Sequence, residues 1–279
     1  MSARNSKANK AAARERLRLE RERQAKKEKT RRQVVVGVSA LAVLALAGGI
    51  GYAVVQAGKP SHWEAAKDAK SVTAPKNTSG EDGTTVLIGK PAAKKTLEIY
   101  EDPRCPVCAS FEQRVGETVQ KDVEAGKYKV RFVGATFLDG DAIDQGRVGS
   151  NGEGSKNALS ALGAALDVSP EAFLAYKAAL YSTKFHPEEA LDKFSKDSYL
   201  LEIADAVPAL KNNAQFKKNV EEGTFDAWAL KMSETFDKSG VQGTPSLKMD
   251  GKFITAPGRD TAPMTAPEFT TAVEKALKG

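Results

Sequence analysis

Cysteine is nearly absent from this chain. Its 279 residues hold two, Cys105 and Cys108, separated only by Pro106 and Val107. Histidine is as scarce, with His62 and His186 alone. A structural zinc centre typically takes four ligands, several of them Cys or His. His62 falls in a polar stretch far from the cysteines, and His186, in "KFHPEE", reads as a solvent-facing helix start. A Cys-Cys-His copper centre would need His186 to reach the pair. The sequence also lacks a phosphate-cradling Gly loop, a Ser/His/Asp grouping and a nucleotide fingerprint. The Gly-rich segment "DQGRVGSNGEG" has neither the preceding strand nor the helix-start spacing that such a loop needs. It reads as a flexible rim near the active site.

Charge is missing in one place and concentrated in another. Val34–Val55 contains no charged residue and no proline. It is long enough to cross a bilayer, which takes about 20 helical residues. A cleavable signal peptide is the competing reading, with "VQA" at Val55–Ala57 as a weak cleavage site. The long preceding region and the length of the apolar run favour an uncleaved anchor. Residues 1–33 carry 13 Lys/Arg against 4 Glu, a net of +9, while residues 34–279 carry 29 against 32, a net of −3. Basic residues beside a span stay cytoplasmic. The reading is therefore a basic cytoplasmic tail over 1–33, a transmembrane helix over 34–55 and everything after it outside the cell membrane. The tail's partner is then anionic lipid of the bilayer rather than nucleic acid. Residues 56–83 have linker composition, with Trp63 as an interfacial aromatic and His62 without a ligand partner.

Residues 84–279 are enough for one domain with a full core. Short β runs at Thr84–Gly89 and Lys95–Asp102 lead into a helix from Cys105 whose apolar positions Phe111, Val115, Val119 and Val123 recur every fourth residue. A third strand covers Lys127–Thr136, and Asp139–Gly154 is a loop. Five helical segments fill about 155–239. Two more β runs follow, joined by an Asp250–Gly251 turn, and then a last amphipathic helix. Helices interrupting a small mixed sheet make this an α/β domain.

Three chemistries fit Cys105-Pro-Val-Cys108. A structural disulfide over so short a loop would add only about 2 kcal/mol. A metal site lacks ligands, as above. A redox dithiol has a mechanism: strand, turn and helix place Cys105 at a helix N-terminus. There the unpaired N–H groups and dipole stabilise its thiolate, and Cys108 stands one turn on. Further cysteines would mispair with the reactive pair in an oxidising compartment. The pair itself is then the redox centre, with no other cofactor and no metal.

A second element, "GVQGTPS" at Gly240–Ser246, makes the chain resemble the thioredoxin superfamily, in which a Thr-cisPro loop faces the cysteine pair. On that resemblance Pro245 is the cis-proline and Gly243, Thr244 and Pro245 line the substrate path. The 136 residues between Cys108 and Pro245 resemble the helical insertion of DsbA-like members, as do "YEDPRCPVC" and "NALSALGAAL". The basic tail and single span resemble membrane-anchored members of Gram-positive bacteria. The resemblance implies a thioredoxin-like fold with an inserted helical domain and an extracytoplasmic oxidoreductase that donates disulfides to exported proteins with free thiols. A quinone-linked membrane oxidase is its implied reoxidant. Asp102 matches an acid found in this branch. The buried acid that many members carry six positions before the first cysteine is replaced by Ile99. Glu98 and Glu101 are read as pointing to other faces, unless a turn one residue longer brings Glu98 in. Val107 cannot donate a hydrogen bond to a thiolate, Thr244 can through its hydroxyl, and Arg104 is a further candidate for thiolate stabilisation. A reductase or isomerase of the same fold, and a non-enzymatic redox sensor, remain as alternatives. The linker leaves no room for the added dimerisation domain usual in isomerases.

Overall fold

The computed structural model of the protein describes residues 62–140 and 152–278. The expected basic tail, the expected transmembrane helix and most of the Gly-rich loop lie outside the described residues. Among the described residues no helix is long and apolar enough to cross a membrane.

Five strands form one mixed sheet: β1 (Val86–Ile88), β2 (Thr96–Glu101), β3 (Lys129–Gly134), β4 (Ser246–Met249) and β5 (Lys252–Phe253), in the order β1-β3-β2-β4-β5. Central β2 runs parallel to β3 and antiparallel to β4, with Ile99 opposite both Phe132 and Leu247. Side chains alternate across a strand, so Leu97, Ile99 and Glu101 share one face. All three are buried. Asp250–Gly251, both with positive φ, make the tight turn from β4 to β5, as the sequence predicts for Asp-Gly.

The helix after Cys105 is not uniform. It begins as α2 (Pro106–Phe111), widens into a π turn over Glu112–Gly116 and resumes as α3 (Glu117–Ala125). The π turn tucks the Glu112 carboxylate over Gly116, where an added Cβ would lie 2.6 Å from the Glu112 Cδ. A π bulge inside an α-helix re-aims side chains, and such bulges are common beside functional sites.

Between β3 and β4 lie α4 (Gly154–Val168), α5 (Pro170–Leu180), α6 (Asp197–Ala204), α7 (Ala214–Glu221) and α8 (Asp226–Lys238). Helix α4 is buried along nearly its whole length and packs against α5, α7 and α8. Small residues allow that close approach: the Trp228 ring lies where a side chain on Gly163 would project. Helix α9 (Ala266–Lys278) closes the fold, with Phe269 edge-on to Phe111.

Three expectations need correction. The end of the expected linker belongs to the folded domain, because residues 62–67 form α1 (His62–Lys67). Trp63 is not an interfacial aromatic: it is 5% exposed beneath the Lys156 ammonium, and His62 Nδ1 bonds Asp226 at 2.8 Å. A large indole finds more apolar area in the groove beside α8 than a linker could offer. His186 does not begin a helix on the surface. It is partly buried in the turn after α5, stacked on Tyr181, with Nε2 3.2 Å from the Pro103 carbonyl.

Candidate active site

Cys105 occupies the N-cap of α2 in extended conformation, and Pro106 takes the first helical position, where its missing N–H costs nothing. The Cys108 N–H donates to Cys105 Sγ at 3.4 Å. Pairing of β2 with β4 sets Tyr100 opposite Ser246, which delivers the preceding Thr244–Pro245 segment to the same sheet end. The Thr244–Pro245 peptide bond is cis, and Cys105 Sγ lies 3.7 Å from the Thr244 carbonyl. Both cysteines are free thiols. Cys108 has no exposed surface, whereas Val107 is 50% exposed beside them. Leu138 and Tyr181 pack against the pair.

The two sulfurs are electrostatically unlike. The hydrogen bond from the Cys108 thiol, with further help from Thr244 and the N–H groups of Cys108 and Val107, outweighs burial and brings the Cys105 pKa down to about 6. The Thr244 hydroxyl is buried beside the pair, where it favours the thiolate form of both cysteines. Burial, reinforced by Cys105 and Glu101, pushes the Cys108 pKa well above the ordinary thiol range. A depressed thiol pKa adds stability to the reduced fold at pH values above the ordinary thiol range, and that stability is lost as pH falls through about 6. Alkylation of the reduced protein by iodoacetamide should therefore modify Cys105 with a midpoint near pH 6 and leave Cys108 untouched. Mass mapping of the labelled cysteine checks this, and a midpoint near 8.5 would contradict it.

Beneath the pair lies a group that the sequence reading missed. Lys177, on α5, donates to Glu101 at 2.9 Å and to Glu112 at 2.6 Å, and all three side chains are buried. Glu101 therefore does not point away, as expected from the sequence; it shares the buried face of Ile99. Burial raises its pKa to about 7, Lys177 partly offsets this, and its Oε1 accepts no hydrogen bond among the described residues. Burial also works against the Lys177 ammonium, but the two carboxylates prevail and its pKa is raised. The signal was present: β2 alternation places Glu101 with Leu97 and Ile99, and Lys177 sits on the Phe173/Leu180 stripe of a helix whose other charge is Glu171 in the first turn.

Arg104 also needs correction. It does not turn toward the thiolate. Only 1% exposed, it bonds the Leu138 carbonyl, the Asp139 carboxylate and the Glu189 carbonyl, and lies 3.3 Å from Asp192. Asp139 accepts the N–H groups of Ser155 and Lys156, and Asp192 that of Gly154. The first N–H groups of α4 are thus capped from two other segments, and Arg104 ties those segments to the catalytic turn. Asp102 supports the same turn by accepting from the N–H groups of Arg104 and Leu138 and the Ser155 hydroxyl. Burial raises its pKa to about 8. Gly243 is exposed, and its carbonyl accepts the Ser246 hydroxyl. Cys105, Cys108, Thr244 and Pro245 converge, whereas Arg104 and Asp102 support the turn from behind.

Comparison with known proteins bears on this arrangement. The family model described as Thioredoxin matches residues 81–275. The serine/threonine-protein kinase PknE of Mycobacterium tuberculosis is 26% identical over 170 residues, which are 61% of this chain and 29% of the kinase. The chain thus spans less than a third of that relative. Disulfide bond formation protein D of Bacillus subtilis is 25% identical over 194 residues, 69% of this chain and 77% of its own. The crystal structure of oxidised BdbD from Bacillus subtilis superposes with a TM-score of 0.54 at 22% identity, covering 75% of this chain and 100% of that one. The chain belongs to the thioredoxin family, with the fold of its DsbA-like members.

Proposed function

We propose that this protein is an extracytoplasmic thiol–disulfide oxidoreductase that donates the Cys105–Cys108 disulfide to exported polypeptides. The observation that carries the reading is the asymmetry of the pair: Cys105 is held as a ready thiolate near pH 6, and Cys108 is sealed and protonated. A substrate thiolate attacks Cys105 Sγ of the disulfide. A mixed disulfide forms, the Cys105–Cys108 bond breaks, and the electron pair leaves on Cys108. A buried thiolate needs a proton, and Glu101, poised near neutrality, can supply one. A second substrate thiolate then attacks the substrate sulfur, and Cys105 leaves as its stabilised thiolate. The substrate has lost two electrons and the pair has gained them. A quinone-linked membrane oxidase returning the pair to the disulfide completes the cycle.

The substrate segment runs along the open backbone at Thr244–Pro245, pairing as an added strand. The uncharged run at 34–55, with its basic flank, supports a single membrane anchor and a catalytic domain outside the cytoplasm. The test is the reduction potential of the full chain in detergent micelles, equilibrated with glutathione and read by alkylation. Donation requires a value above about −180 mV, toward the DsbA end of the scale. A value near the roughly −270 mV of thioredoxin would overturn the donor reading in favour of a reductase.

A further inference from the structure

The chain between α5 and α6 folds back to the catalytic turn through the His186–Pro103 and Glu189–Arg104 contacts. Immediately beyond these contacts it forms an open cleft of about 600 Å³, whose walls include Lys184, Phe185, Lys193, Lys196, Tyr199 and Glu202. The Lys184 ammonium stands 4.4 Å over the Phe185 ring and that of Lys193 stands 5.5 Å over the Tyr199 ring. An aromatic face holds a cation in place without neutralising it.

Most surface lysines with a resolved partner in this net-negative domain are spent on acids. Lys121, Lys127, Lys217, Lys218, Lys231 and Lys238 each face a carboxylate. The three cleft lysines face none among the described residues. The acids adjacent to Lys193 and Lys196 are engaged elsewhere: Asp192 caps α4 and Asp197 accepts from Asn157. Only Glu202 opposes the lysines within the cleft walls. Lys184 is two residues from His186, and Pro103 two from Cys105. Through the His186–Pro103 contact the cleft wall is at most about 25 Å from Cys105, about seven residues of extended chain. The cleft thus lies within that length of extended polypeptide from Cys105.

We propose that this cleft selects substrates by binding acidic residues that flank the reactive cysteine. The proposal rests on the oxidoreductase reading. Complementary charge at a rim mainly steers encounter and chooses partners. It should therefore act on KM, disappear at high ionic strength and leave kcat unchanged.

The test uses the full chain in detergent micelles and two fluorescent dithiol peptides, identical except for four Asp or four Asn after the second cysteine. At low ionic strength the Asp peptide should have a KM lower by a factor on the order of ten, the product of three weak exposed pairs. The variant Lys184→Gln/Lys193→Gln/Lys196→Gln should lose that preference, and its unchanged turnover of the Asn peptide shows that the fold is intact. Equal KM values for the two peptides on the unmodified protein, or a preference that survives in the variant, would overturn the proposal. So would displacement of the Asp peptide by millimolar glycerol phosphate, which would make the cleft a phosphate or lipid-headgroup site. Versions of both peptides with Ser for Cys, followed by fluorescence anisotropy, separate the two readings. Selective binding of the Asp version without oxidation of either dithiol peptide would sink the oxidoreductase reading and leave the docking surface standing.

Discussion

Cys105→Ser is expected to abolish oxidation of a reduced, unfolded test protein, by about 10³-fold or more, since the variant lacks the atom that exchanges. Cys108→Ser should behave differently. Cys108 has no exposed surface, so a client sulfur cannot reach it, and its own work is to close the bridge from within. A lone Cys105 thiolate still attacks client disulfides, but nothing then releases the mixed disulfide. Non-reducing gels of the purified variant incubated with disulfide-bearing clients should show adducts that dithiothreitol removes. Retained turnover in Cys105→Ser would end the proposed mechanism. Absence of adducts in a Cys108→Ser protein whose Cys105 still alkylates would end the assignment of roles.

The largest expected loss of stability comes from Lys177→Met. The substitution keeps the volume and removes the cation shared by Glu101 and Glu112. Breaking a buried ion pair from one side costs about 3–5 kcal/mol, because a charge is left buried without compensation. The loss should depend on pH with a definite sign. Burial already raises Glu101 to about 7, above the value near 4.3 of an unfolded glutamate. A carboxylate raised on folding costs no stability below its unfolded pKa, and its full cost is felt above its folded one. Without Lys177 the folded value rises further, so the deficit should be small at pH 4 and grow as pH rises past about 7 toward the variant's higher value. Urea unfolding of the reduced protein at both pH values measures it. Equal deficits at the two pH values would show that lost packing, not uncompensated charge, sets the cost. Adding Glu101→Gln and Glu112→Gln should restore much of the loss at pH 8.

What was legible in the sequence was what local chemistry specifies. The Cys-Pro-Val-Cys run, the strand before it and the Asp-Gly hairpin each rest on neighbours a few residues apart. The Thr244–Pro245 loop was legible through family likeness, and the helical block through its periodicity. The buried network was not, because its members are far apart in the chain. Lys177 bonds Glu101 from 76 residues away, and no periodicity says which helix covers which strand face. Arg104 beside a reactive cysteine has an obvious electrostatic use, and only the packed structure reveals that Asp139 and Asp192 claim it. Trp63 misled for a related reason: in a polar stretch a single indole gives no periodic signal, and its groove is built by residues about 160 positions later.

The ties of Arg104 have a consequence for how the chain comes to be active. They join the residue before Cys105 to backbone 34 and 85 positions downstream. Contacts of such separation form late, after the long intervening loops have closed. In the unfolded chain Cys105 is an ordinary thiol, mostly protonated at neutral pH. Its N-cap posture, and with it the thiolate, is completed only when the helical block has docked and Arg104 has found its carbonyls. On the proposed function, a nascent copy is chemically one more client for its finished siblings. On that reading, maturation is what divides donor from recipient.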